Sequence, residues 1–162
     1  MKRSHPSEAI RVLLQLIDES YEKRAWHGAN LRGSMKGLRI EQVAWRPAAT
    51  RHNIWEIVVH CAYWKYIVRR RLLEEKKGKF PLKGSNWFKR PVEATEKAWR
   101  TDLALLEETH RSLREAIGGL KPSDLNKNPS GSKWTNLQTI SGIASHDVYH
   151  AGQIQLLKRM QK

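Results

Sequence analysis

Four stretches of the chain place apolar residues at helical spacing, and glycine or proline punctuates the sequence between them. In the first, Ile10, Leu13, Leu14, Ile17 and Tyr21 follow Pro6 and Ser7 at i, i+3, i+4, i+7 and i+11, which is one face of an amphipathic helix. Three glycines in "HGANLRGSMKG" predict that this helix frays, and Pro47 makes "LRIEQVAWRPAATRHN" a linker. A second helix is expected to start at the N-cap residue Asn53 and run through "IWEIVVHCAYWKYIVRRRLLEEK", its buried face centred on Ile57, Cys61, Trp64 and Val68. The third is expected to start near Pro91, to carry Trp99, Leu103, Leu106, Leu113 and Ile117, and to stop at "GG" and Pro122. The fourth runs from Thr135 to about Met160 with Ile140, Ile143, Ile154 and Leu157 on one side. No segment alternates as a strand does, and there is no internal repeat.

Four such helices make an all-α four-helix bundle the economical architecture. The connection "KGKFPLKGSNWFKRP" between helices two and three is long enough to cross the bundle, which predicts an up-down-down-up order. At 162 residues the chain is expected to be one domain, residues 1–162.

The formal charge of +14 permits a nucleic-acid surface, because lysine and arginine displace counterions from phosphates. The basic residues are spread over every segment, which favours ordinary solvated faces instead. The apolar runs are too short for a bilayer span, and "MKRSHPSEAI" lacks the apolar region of a signal peptide. Together with the single cysteine, this places the protein in the cytoplasm with no disulfide framework. A homodimer is the oligomer expected of a bundle with exposed apolar edges.

Seven histidines remain to be explained. Counting about 100° per residue from Ile143, His150 falls near −20° and His146 near −60°, so both face the core. His60 falls at the border of the buried face of helix two. Imidazoles at i and i+4 can reach one ion at about 2.0–2.1 Å, and a third from a neighbouring helix leaves the open position of a catalytic site. The spacing alone also suits two core histidines. His110 lies in an apolar stripe and reads as a buried core residue; His5, His27 and His52 read as surface residues.

The stretches "GLRIEQVAWRP", "HNIWEIVVHCAYW", "GSNWFKRP", "LNKNPSG" and above all "HDVYHAGQIQLLKR" resemble the DinB-like superfamily of damage-inducible and YfiT-like proteins, from about residue 8 onward. The resemblance implies a four-helix bundle holding a divalent metal, zinc or nickel, through His60, His146 and His150. It further implies a metal-dependent transferase using a low-molecular-weight thiol, or a hydrolase, acting on a small-molecule substrate. The competing class is a non-enzymatic, basic nucleic-acid-binding or stress-response interaction protein with a structural metal.

An open His-ligated ion can hold a thiolate or lower the pKa of a water. Glu56, one turn before His60, and Gln153, at i+3 from His150, are the candidates for a catalytic or orienting role on the open side. Asp147, near 40° on helix four, is the candidate to orient a ligand imidazole. Cys61 points about 100° away from His60 and reads as core. Tyr149, Trp45, Trp55, Trp64 and Trp99 read as packing residues, and Trp87, in the crossover, as the wall of a pocket.

Overall fold

The computed structural model describes residues 7–129 and 131–162, and the surface reading of His5 lies outside these. The described residues contain six α-helices and no strand, as an all-α bundle requires. The long helices are α1 (Glu8–Tyr21), α4 (Ile54–Leu72), α5 (Glu96–Gly118) and α6 (Asn136–Met160). Between α1 and α4, where fraying and a linker were expected, stand two single-turn helices, α2 (Leu31–Met35) and α3 (Ile40–Ala44). Their buried residues Leu31, Met35 and Val43 join the main core, so tertiary packing holds turns that local propensity disfavours.

The helix starts follow from their caps. Asn53 accepts the Glu56 N–H, and Thr135 accepts the Gln138 N–H while the Gln138 side chain accepts the Thr135 N–H in return. Helix α5 starts at Glu96, five residues beyond the expected Pro91, because the Thr95 hydroxyl caps it by accepting from Ala98 N–H. The residues before it are held otherwise: the Arg90 guanidinium donates to Asp102 at 2.7 Å, and its backbone N–H donates to Glu56. The α4–α5 connection, residues 73–95, is anchored by Phe80 and Phe88, which are buried against Tyr63 and Tyr66.

Apolar burial falls into two clusters. One gathers Ile54, Trp55, Val58, Ala62, Trp99, Leu106, Ile154 and Leu157; the other gathers Ile10, Leu13, Ile17, Val68, Leu113, Ile117, Ile140 and Ile143. A polar waist separates them, one level in every long helix: Asp18 and Tyr21 on α1, Lys65 on α4, His110 on α5 and Asp147 on α6. Lys65 and Asp147 are both fully buried and form an ion pair. The Lys65 ammonium also lies 5.1 Å from the centre of the Tyr21 ring, which stacks on His110 at 3.7 Å. Asp18 binds Arg114 at 2.6 Å and thereby ties α1 to α5.

The buried face of α4 therefore differs from the expected one. Trp64 is only half-buried, and Lys65 takes the inward position. Lysine seldom occupies such a site unless it is paired, and the partner lies more than eighty positions away, beyond what helical spacing reports.

Removing only the carboxylate, Asp147→Ala, leaves the Lys65 charge buried without its partner. Urea denaturation is expected to show a loss of about 3–5 kcal/mol, and a much smaller loss for the joint replacement of Lys65 by Met and Asp147 by Leu. Equal losses in the single and double variants would contradict this account of the waist.

Candidate metal centre

Helix α4 carries His60 and helix α6 carries His146 and His150, and their donor atoms lie within 4.8 Å of one another. The His146 Nε2 is 3.1 Å from the His60 Nε2 and 3.1 Å from the His150 Nε2. The opposite nitrogens are held from outside. The His60 Nδ1 lies 2.8 Å from the Asn86 carbonyl, and the His150 Nδ1 lies 2.7 Å from the Gln153 Oε1. Both partners are acceptors, so each Nδ1 carries the proton and each neutral ring turns a bare Nε2 lone pair inward. A proton on the His146 Nε2 could satisfy one of these lone pairs at a time. A cation satisfies all three.

The protonation equilibria favour the same state. Burial pushes His146 down to about 3, reinforced by the neighbouring His150 and His60 rings. Burial likewise lowers His150 to about 4, against the stabilising contact with Gln153, and lowers His60 against its contact with the Asn86 carbonyl. The imidazoles are thus neutral at physiological pH, the state in which they can donate to a metal ion.

The donor spacing fits a first-row divalent ion. Two nitrogens 3.1 Å apart subtend about 95–102° at an ion 2.0–2.1 Å from each, between octahedral and tetrahedral values. Three imidazoles on one side leave further positions for a water or substrate. A second donor grouping, Cys61, His146 and Asp147, suits a cation less well. Asp147 is committed to Lys65, and burial pushes the Cys61 thiol well above its ordinary pKa, which keeps it protonated.

Aromatic rings wall the centre. Trp87 stacks on His60 at 3.9 Å and, with its other face, on His52 at 3.6 Å. His52 is exposed as a residue, yet it is the outer member of this stack and also contacts Glu56 at 2.9 Å. Trp64 meets the His60 ring edge-on and donates its indole N–H to the Asn86 side chain at 2.9 Å. Asn86 adopts φ 62°, a left-handed conformation that asparagine tolerates better than most residues. Its turn within "KGSNW" is a sequence signal for such a conformation. That its carbonyl orients His60 is a tertiary fact.

The other candidates are distributed differently from their sequence reading. Glu56 is clamped by Arg46 at 2.5 and 2.8 Å, by His52 and by the Arg90 N–H. Burial opposes its ionisation, but these partners prevail and hold it at about 2, so it anchors the α4–α5 connection as a fixed carboxylate. Gln153 does reach the centre, from behind His150, and its amide donates to the Tyr149 hydroxyl at 3.1 Å. Tyr149 itself is exposed and contributes little to the core. Asp147 binds Lys65, and none of its hydrogen bonds reaches a histidine among the described residues. The Nδ1 of His146 and the second oxygen of Asp147 are both buried without a partner among the described residues. His110 is a core residue as read; burial, with Lys65 adding to it, lowers its pKa to about 3. His27 is exposed.

A helical bundle with a buried three-histidine donor set defines the class of protein. A family model described as the DinB superfamily matches residues 24–154, and the chain belongs to that family. No curated protein and no solved structure shows a significant match. Among the described residues, no helix is long and apolar enough to cross a membrane.

Because Gln153 fixes the His150 ring, Gln153→Ala is expected to weaken zinc binding about 10–100-fold in competition with a chelating dye. Glutamate at this position, which keeps the acceptor, is expected to retain most of the affinity. Unchanged affinity in the alanine variant would remove Gln153 from the centre.

Proposed function

We propose that the chain binds a zinc or nickel ion through His60, His146 and His150 and is a metal-dependent enzyme that transfers a small thiol to an electrophilic substrate. The observation that carries this reading is the convergence of three Nε2 atoms whose tautomers, at His60 and His150, are set by acceptors on the far side of each ring. A divalent ion held there supplies Lewis acidity, which lowers the pKa of a thiol or water that reaches its open side.

The residues of the chain do the positioning. Asn86 and Gln153 hold the rings, and Trp87 covers one face of His60 and keeps water from it. With Glu56 committed to Arg46 and Asp147 to Lys65, neither carboxylate is free to serve as a general base. That favours a nucleophile activated by ionisation over one that needs a base to take its proton. In the transfer, the thiolate sulfur forms a bond to an electrophilic carbon of the substrate as that carbon's bond to its leaving group breaks. The thiol proton passes to solvent.

Hydrolysis by the same centre is the second reading, supported by the same open donor set. The two separate in one assay. Metal-loaded protein is given glutathione with 1-chloro-2,4-dinitrobenzene, and in parallel a p-nitrophenyl ester without thiol. Conjugation that falls at least about 100-fold on chelation and in His150→Ala, with little esterase activity, supports thiol transfer. Conjugation and hydrolysis that both survive complete metal removal would contradict a metal-dependent enzyme of either kind.

A further inference from the structure

A cleft of about 690 Å³ opens between α1, α2 and α5, and none of the three histidines lines it. Its volume lies in the range of small-molecule sites. Its lining is mixed, and the apolar part is supplied by Met35, Leu38, Trp99 and Leu103. Its charged groups balance, Glu22 and Glu107 against Arg32 and Lys36, although the chain as a whole carries +14. Arg32 is occupied as well, donating to Glu22 at 2.6 Å and lying 3.0 Å from Glu107. Asn30 spends its side chain on the Gly33 N–H and the Lys23 carbonyl. The surroundings therefore offer an anion no free cationic pair, and they favour a neutral ligand.

One polar group of the lining is left over. Tyr21 is 1% exposed and lines the cleft, and its hydroxyl has no hydrogen-bond partner among the described residues. Tyr21 stands at the end of α1 beside the cleft residues Glu22 and Arg32, and Glu107 faces it from α5. The ring is held in place, with His110 stacked on it at 3.7 Å and the Lys65 ammonium 5.1 Å from its centre. Burying a hydroxyl without a partner is costly, and a ligand that supplies the partner recovers that cost as affinity.

We infer that this cleft is a second binding site, separate from the histidine centre, for a neutral aromatic or alicyclic molecule whose hydroxyl or carbonyl hydrogen-bonds to Tyr21. The inference does not rest on the proposed enzymatic function, since no residue is shared between the two sites.

The test uses 4-fluorophenol as the probe, followed by fluorine NMR on the full chain. Saturable binding is expected. Tyr21→Phe is expected to weaken it about 2- to 12-fold, the factor lost with one hydrogen bond. Leu103→Trp, which fills the cleft from α5, is expected to abolish it, and His150→Ala to leave it unchanged. Circular dichroism confirms that each variant is folded. Absence of saturable binding to the unmodified protein overturns the inference. So does unchanged affinity in either cleft variant, or loss of binding in His150→Ala.

Discussion

Three imidazole nitrogens face one another inside the bundle, and the structure around them depends on how that arrangement is tolerated. Bare lone pairs 3.1 Å apart repel, and protonating the rings is opposed by burial. A neutral ring with its outer nitrogen bound to an acceptor can satisfy its inner nitrogen only with a donor or a cation, and a proton on His146 serves just one of the two neighbouring rings at a time. The Asn86 carbonyl and the Gln153 side chain impose this condition on His60 and His150. The α4–α5 connection supplies Asn86 and Trp87 and so forms part of the centre. Its attachment to α4 through Arg90, Glu56 and Arg46 holds both residues in place.

The polar waist carries the same logic through the core. Lys65 and Asp147 sit between two apolar clusters and satisfy one another at the level where His146 leaves α6. A buried pair of this kind contributes less to stability than an apolar pair of the same size would. Its geometric effect is that α4 and α6 have one register in which both charges are met. That register also brings His60 level with His146 and His150. Fold and site thus share a single alignment of two helices.

Much of this was legible in the residues. The Asn53 cap, the start of α6 near Thr135, its apolar stripe and the inward direction of His146 and His150 all follow from local spacing and side-chain chemistry, and each appears as read. The place of His60 beside them came from family resemblance, because helical spacing put it only at the edge of a face. What spacing misses is any contact made across the chain. Lys65 looks like a surface lysine until Asp147 is set beside it, and Glu56 looks like a free base until Arg46 reaches it. Tyr149 looks like packing, but it is 63% exposed. Helices α2 and α3 escaped because the glycines around α2, Pro47 after α3 and their short length argue against helix, whereas Leu31 and Val43 are held by the core. The late start of α5 at Thr95 has a local cause, a hydroxyl cap that outranks the first-turn preference of Pro91.

The central claim is that His60, His146 and His150 together ligate one divalent ion. X-ray absorption at the metal edge of the purified protein tests it most directly. The account predicts one ion per chain surrounded by imidazole nitrogens at about 2.0–2.1 Å, with three-ring multiple scattering and no sulfur neighbour. A sulfur scatterer at about 2.3 Å, or an ion with the same spectrum in a variant lacking all three histidines, would contradict it.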